Sequence, residues 1–413
     1  MLVTYPIPKI NQYRSLISPA RDRGRAVYNW HAFKHSYSKD LVEKLVKEFG
    51  LKETSWVLDP FCGGGTTLLA CKELGINSKG YDILPFSVFL TNVKTRTYNY
   101  AELEQQLAEF KKIKRTSIAK DSLPDIAIVH KAFSASTRDE LLHLKREIAS
   151  ISKPKVRDFF MLGLLSILES VSNTVKGGGF LRIVDKKVSS SDVRKQFYSK
   201  VESMINDVED FNSNQKYKKV DVSAKLSDSR NFLASKKFDA IITSPPYPNR
   251  HDYTRIYGLE LIFDFVKNND QLKQIRYDTL RSHVEAKKKF EPVGYKEPQI
   301  INRLVEKIEK AGLNNTKVPE MIHGYFEDMY LSLVQMKKAL KRNGKIALVV
   351  SNVRFGGVNL PVDQILAQIG EQTGLHTDAI FTARYRGNSA QQMGKFDRKP
   401  SRESIVIWSN IDK

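Results

Sequence analysis

Apolar positions change period several times along this chain, and each change marks an element. Leu41, Val42, Leu45, Val46 and Phe49 recur at helical spacing. Ser38 ahead of them is a natural cap and Gly50 a natural stop, which predicts a helix from about Lys39 to Phe49. Trp56-Val57-Leu58 is a short apolar run of the buried-strand type, Thr66 to Leu74 reads as a helix closed by Gly75, and Ser78 to Tyr81 is a second strand ending at Asp82. These make a β-α-β unit with a glycine turn after its first strand and an acid at the end of its second. From about Tyr98 to Asp221 the pattern is mainly helical and basic. Leu103, Leu107 and Phe110 form one stripe; Phe159, Phe160, Leu162, Leu164, Leu165, Ile167 and Leu168 form a denser one, apolar on most sides and so buried. Lys176-Gly177-Gly178-Gly179 interrupts that region as a flexible break. The strand pattern returns at Phe238 to Ile242, Lys345 to Ser351, Ala379 to Tyr385 and Glu403 to Trp408, while 248–320 is polar, basic and broken by Pro292, Pro298 and Pro319. The expectation is an α/β core in two blocks, 1–97 and 222–413, with a mainly helical insertion at 98–221 and a second inserted segment at about 248–320.

Composition narrows the partners more than the fold. The chain has 413 residues, 41% of them hydrophobic, which is enough for a large core. Its formal net charge of +21 favours a polyanionic partner. No run of about 18 apolar residues is present to span a membrane, and Met1 to Ile10 lacks the apolar core of a secretory signal. Cys62 and Cys71 are too few for a disulfide framework or a zinc site, so a reducing, cytoplasmic setting with no metal is expected.

Val57-Leu58-Asp59-Pro60-Phe61-Cys62-Gly63-Gly64-Gly65-Thr66-Thr67 carries a glycine turn from a strand into a helix start. Such turns usually receive phosphate. This one lacks the lysine of a phosphate loop and the dinucleotide spacing. An acid ahead of the glycines repels phosphate but engages an ammonium, directly or through water. Asp82, one strand over, suits two ribose hydroxyls, and Asp228, in Leu226-Ser227-Asp228-Ser229, suits an adenine amino group. A ligand with an amino-acid end, a ribose and an adenine fits all three: S-adenosyl-L-methionine. Singly, each acid is as readily a turn or cap residue, and Asp228 more so; the combination carries the reading.

Thr243-Ser244-Pro245-Pro246-Tyr247 follows an apolar strand. Two prolines restrict φ and remove two N–H groups, which leaves the carbonyls of Ser244 and Pro245 fixed and free to accept. An exocyclic aromatic amine is a poor nucleophile because its lone pair is delocalised into the ring. Acceptors for both of its protons favour a pyramidal nitrogen, and Tyr247 supplies a face for stacking the base.

At this point the chain resembles the amino-methylating DNA methyltransferases, which modify cytosine N4 or adenine N6. Val57 to Thr67 resembles their cofactor motif and Thr243 to Tyr247 their catalytic motif. Asn29-Trp30-His31-Ala32-Phe33-Lys34-His35-Ser36-Tyr37-Ser38 resembles, more weakly, the segment that closes over the methionine end of the cofactor. The resemblance covers about half the chain and implies a Rossmann-like class I methyltransferase core with a seven-stranded mixed sheet. It implies that Ser244, Pro245, Pro246 and Tyr247 are catalytic. It also implies that Trp30, Tyr37, Ser38, Asp59, Pro60, Phe61, Gly63, Gly65, Thr66, Thr67, Asp82, Ile83, Asp228 and Ser229 hold S-adenosyl-L-methionine. The order, cofactor motif first, is one of the family's permuted orders.

A serine at position 244 goes more often with N4-methylcytosine in that family, and Asp or Asn with N6-methyladenine. Carbon-5 methylation needs a thiolate in a catalytic loop, which neither cysteine provides. The expected substrate is duplex DNA with the base flipped out, in a restriction-modification setting with a cognate restriction endonuclease as a further partner. Arg250, His251, Arg255, Arg384 and Arg386 are the expected DNA contacts, with Lys287-Lys288-Lys289 and Arg398 as further candidates; most of these lysines are ordinary solvated surface. Met393 and Phe396 sit in a polar loop where they either cover the flipped base or simply pack in the core. Three readings compete: an N6-adenine enzyme, an RNA guanine-N2 methyltransferase, and a non-catalytic nucleic-acid-binding protein. The second is disfavoured because only about 55 residues precede the cofactor motif, and the third by the intact catalytic loop. Glu285-Ala286-Lys287 matches half of a nuclease metal motif, a triplet common by chance.

Overall fold

Residues 13–113, 122–186, 188–212, 220–387 and 399–411, with Tyr5, Ile7, Pro8 and Phe396, are described by a computed structural model of the chain. Met393 and Arg398 lie outside the described residues. In chain order the strands are β1 (Trp56–Asp59), β2 (Asn77–Asp82), β3 (Thr174–Lys176), β4 (Leu181–Ile183), β5 (Val222–Leu226), β6 (Phe238–Thr243), β7 (Leu340–Ser351), β8 (Val353–Phe355), β9 (Val358–Leu360), β10 (His376–Arg386) and β11 (Ser401–Ser409). Seven of them form one sheet in the order β10-β11-β7-β6-β1-β2-β5, and β3–β4 and β8–β9 are separate hairpins. Five strands from β5 to β7 run parallel, whereas β11 is antiparallel to both its neighbours. This is the seven-stranded mixed sheet that the sequence reading anticipates. Strand order reverses between β1 and β6, and ligands of open α/β sheets sit at the carboxyl ends of the strands flanking such a reversal. β1 and β6 therefore deliver the glycine turn and the Ser-Pro-Pro-Tyr loop to one edge.

The central strands read as continuous apolar runs because both faces are covered. On one face Leu41 and Leu45 of the helix Lys39–Glu48, and Ala70 of the helix Thr66–Glu73, meet Val57, Ile242, Ala347 and Val349. On the other, the helices Gln299–Lys310, Val318–Ala339 and Val362–Gln372 bring Ile301, Met329, Leu333 and Leu366 onto Leu58, Ile241, Ile346 and Leu348. The helical stretch after residue 98 does not form an isolated core. Its Phe159, Phe160, Phe197 and Val201 belong to one cluster with Phe86 and Leu90 of the helix Pro85–Thr95 and with Tyr257 and Leu261. Among the described residues no helix is long and apolar enough to cross a membrane.

Two departures from the sequence pattern have plain causes. The pattern does not announce β5, which is only five residues long, pairs only with β2 at the sheet edge and buries only Ala224. Lys176 to Gly179 is no loose break but part of the β3–β4 hairpin. The segment 248–320 is in large part helical rather than irregular, and Asn269–Asp278 and Gln299–Lys310 are the two longest helices wholly within it. Pro298 caps the second, and Pro319 sits in the first turn of the helix that follows, where a missing N–H is harmless.

Gly80 in β2 shows how tightly the sheet meets the glycine turn. A Cβ there would come within 2.9 Å of Cys62 Cβ and 3.1 Å of Leu68 Cδ1. Gly80→Ala is expected to lower stability by about 1–3 kcal/mol through overpacking. Gly24→Ala, with nothing within 4 Å, is expected to change it by less than about 0.5 kcal/mol. Urea midpoints with unchanged slopes check both, and equal midpoints for the two variants would contradict the packing argument.

Candidate active site

The glycine turn is built from the backbone outward. Cys62 N–H donates to Tyr81 C=O (2.9 Å), and Gly65 N–H to Cys62 C=O (2.7 Å). Gly63 and Gly65 have φ of 49° and 79°, the left-handed region that side chains disfavour, and Gly65 caps the helix Thr66–Glu73. Asp82 at the end of β2 locks this turn. Its Oδ2 accepts from Gly63 N–H (2.9 Å) and its Oδ1 from Leu84 N–H (2.9 Å). Burial pushes its carboxyl up to about 6, although those two amide bonds pull the other way.

A cavity opens at this edge. Its wall comprises Phe33 and His35, then Pro60, Phe61 and Gly63, then Asp82, Ile83, Leu84 and Ser87, then Ser227, Asp228 and Ser229, then Ser244, Pro246 and Tyr253, and finally Thr279, Leu280, Ser282 and His283. It thus brings together Pro60, Phe61, Gly63, Asp82, Ile83, Asp228, Ser229, Ser244 and Pro246 of the residues expected from the sequence. Other expected residues stand behind the wall. Asp59 is buried beneath it, accepting from Thr243 Oγ1 (2.6 Å), Phe61 N–H (3.1 Å) and Tyr37 O–H (3.3 Å). Burial raises its carboxyl to about 6. Tyr37 and Thr67 bond each other at 2.5 Å. Thr66 Oγ1 pairs with Ser36 Oγ, and Ser38 Oγ donates to Leu16 C=O. Trp30 lies deeper, its Nε1 donating to Asp207 in the helix Ser190–Asn212. Of the closing segment, Phe33 and His35 reach the cavity. Phe33 stacks on Tyr257 at 4.5 Å, and His35 meets His251 and Tyr253 edge-on. Burial lowers His35 to about 4, so it is neutral at pH 7; His251 is lowered by burial and by Arg386.

Asp228 is in the wall but already employed. Arg230, with no exposed side-chain surface, bonds both of its oxygens (2.9 and 2.7 Å) and also reaches Asp328 (3.0 Å). Arg281 bonds Asp328 from the other side (2.6 Å). Arg230 further donates to the carbonyls of Asp278 and Lys288. This buried network fixes 278–288 against the sheet and so shapes the wall from Thr279 to His283. No motif in the sequence announces that wall, because its geometry comes from Arg230 and Asp328 on distant elements.

The Ser-Pro-Pro-Tyr loop separates the cavity from an open cleft. Ser244 and Pro246 face the cavity. Tyr247 lines the cleft with Asn249, Arg250, His251, Asp252, Arg255, His283, Arg354 and Arg386. Ser244 Oγ lies 3.4 Å from the Tyr247 hydroxyl, which donates to Glu403 Oε1 (3.2 Å). Arg250 has φ of 69°, an uncommon conformation for a side-chain-bearing residue. Arg384 is not in the cleft wall; it bonds Glu403 Oε2 at 2.5 Å. The lysine run is spoken for: Lys287 lies over Tyr277, Lys288 beside Asp228 and Lys289 beside Glu320. Glu285 pairs with Arg255 and Arg276. Among the described residues no three His, Cys, Asp or Glu converge to hold a metal. Phe396 rests near Gly357, and both cysteines are buried and unpaired.

Comparison with known proteins identifies relatives of the chain. Residues 7–92 match the family described as DNA methylase. The chain is 32% identical to the type II methyltransferase M.BsoBI of Geobacillus stearothermophilus, over 96% of this chain and 88% of that one. It is 31% identical to the type II methyltransferase M.AvaI of Nostoc sp. (strain PCC 7120), over 96% and 89% respectively.

Asp59 yields a pH test. Its folded carboxyl titrates near 6 rather than 3.8, so the folded chain holds that proton more tightly than the unfolded chain. The stabilisation is complete below about pH 4 and is lost as pH rises through 6. Asp59→Asn stays neutral throughout and is expected to gain on the parent by up to about 3 kcal/mol between pH 4 and 7. Urea midpoints across that range check this, and a pH-independent difference would exclude a raised Asp59.

Proposed function

Because the chain belongs to the type II DNA methyltransferases, we propose that it moves a methyl group from S-adenosyl-L-methionine to the exocyclic N4 of a cytosine flipped out of duplex DNA. One observation carries this reading. The Ser244–Tyr247 loop stands between two spaces, with its serine in the cavity and its tyrosine in a cleft lined by arginines. A donor on one side and a base on the other meet at this loop.

The cavity's chemistry fits the donor. Asp82 and Asp228 end neighbouring parallel strands β2 and β5, and Ser227, Ser229 and Ser87 add hydroxyls beside them. Phe33, Phe61, Ile83, Leu84 and Leu280 supply apolar wall for a flat purine. Asp82 accepts from the ribose hydroxyls. Asp228, held by Arg230, offers its remaining lone pairs to the adenine side. Asp59 acts from below by fixing the turn rather than by touching the ligand. Bound there, S-adenosyl-L-methionine supplies an activated methyl group.

This chain's residues prepare the acceptor. Ser244 Oγ and the Pro245 carbonyl accept the two amine protons, which favours a pyramidal nitrogen and points its lone pair into the cavity. Tyr247 stacks on the base while Glu403 holds its hydroxyl. Arg250, His251 and Arg386 meet the phosphate backbone, and Arg255 approaches it while paired to Glu285. The choice of N4 over N6 rests on the serine at 244. In a restriction-modification setting the methyl mark shields host DNA from a cognate endonuclease.

Single-base sequencing of methylation in a host expressing the chain, with nucleoside analysis, tests the product. N4-methylcytosine at one site is expected; N6-methyladenine alone would overturn the base, and label confined to RNA would overturn the function. Ser244→Ala is expected to keep cofactor affinity and slow methyl transfer roughly 10- to 100-fold, the loss of one acceptor worth about 1.5–3 kcal/mol. Asp82→Ala is expected to raise the cofactor Kd by a similar factor in calorimetric titration. Unaltered binding in Asp82→Ala would remove the ribose assignment.

A further inference from the structure

A hairpin from the helical stretch reaches the same cleft. β3 and β4 are joined by Gly177-Gly178-Gly179-Phe180, and Gly177 N–H closes the turn on Phe180 C=O (2.8 Å). The stem is clamped. Lys176 is buried, pairs with Glu260, and lies 4.8 Å above the Tyr257 ring. Glu260 in turn bonds His31 (3.0 Å), and the Lys34 ammonium donates to the Lys176 carbonyl (2.5 Å). Gly179 sits so close to His251 that a Cβ would come within 2.9 Å of its ring. At the tip, Phe180 is 56% exposed.

One exposed phenylalanine is ordinary on a protein surface. This one is not on an ordinary surface. Gly178, Gly179 and Phe180 share the cleft wall with Tyr247, Arg250 and Arg386. Arg250 is exposed and makes no ion pair among the described residues. The chain carries a net charge of +21. An apolar ring at the tip of a clamped stem, amid cationic side chains, suits a duplex better than an apolar protein surface. Removing a base from a duplex breaks stacking on both sides, and an inserted side chain replaces part of it.

We propose that Phe180 is a wedge: it enters the duplex beside the target and fills the space that the extruded base vacates, while Tyr247 takes the base itself. This rests on the duplex-DNA reading above. Phe180 touches neither the amine nor the cofactor, so it positions the substrate rather than catalysing. The glycines before it let the DNA backbone pass close to the tip, and the Lys176–Glu260 pair resists the recoil of the stack.

Two variants of the full chain test this. Phe180→Ala is expected to methylate a duplex containing the mapped site about 10-fold or more slowly, the scale of one lost stacking contact. It should recover most of that loss on a duplex whose target base lacks a pairing partner, because extrusion then needs little help. Its cofactor affinity should match the parent. Phe180→Trp adds a fourth tryptophan to three, and its difference emission should be quenched when anisotropy reports that duplex is bound. Equal slowing on paired and unpaired targets, no slowing at all, or an unquenched indole in the formed complex would overturn the wedge. If the parent labels no DNA, the methyl-transfer reading fails by itself, and the indole signal on bound duplex still decides the wedge.

Discussion

A hydrogen bond of 2.6 Å joins Thr243 Oγ1 to Asp59 Oδ1 across the adjacent strands β6 and β1. It ties the end of the glycine motif's strand to the first residue of the catalytic loop, although 184 residues separate them in the chain. A carboxyl buried this deeply is tolerated only with partners, and its partners come from three stretches: Thr243, Phe61 and Tyr37. Each stretch is therefore satisfied only when the other two are in register. Asp82 repeats the device one strand over, using backbone N–H groups of the turn and of the next helix start. The cavity is what remains above these locked junctions.

Charge placement divides the molecule by function. The deepest ion pairs, Arg230 with Asp228 and Asp328, and Lys176 with Glu260, lie under walls that must keep their shape. Glu403 does the same at the cleft, meeting the Tyr247 hydroxyl on one oxygen and Arg384 on the other. Removing one member of such a pair leaves a buried charge without compensation, which costs more than the pair contributes. Arg250, by contrast, is an exposed cation in the cleft wall.

How far the sequence disclosed this follows from where the information sits. β1, β2 and β6 and the helix after the glycine turn were legible because their apolar periodicity and glycine stops are local. β5 was not, since a five-residue edge strand with a single buried position carries little apolar signal. Of the residues singled out from the sequence, Phe61, Gly63, Asp82 and Ser244 line one cavity. Sequence similarity could not tell wall from underpinning: Asp59 and Thr67 of the glycine motif, and Tyr37 of the closing segment, face inward, because side-chain direction depends on the strand end and the turn. Thr279 to His283 had no signature at all. Their position is set by Arg230 and by Asp328 on the helix Val318–Ala339, contacts between residues dozens of positions apart.

The sheet is not assembled in the order in which the chain emerges. β11 follows every other strand in sequence, yet it lies between β7 and β10, and it carries Glu403. A nascent chain that has not yet exposed residue 403 outside the ribosome has a split sheet and a Tyr247 hydroxyl without its carboxylate acceptor. The sheet therefore closes abruptly, with the last strand, rather than growing as synthesis proceeds.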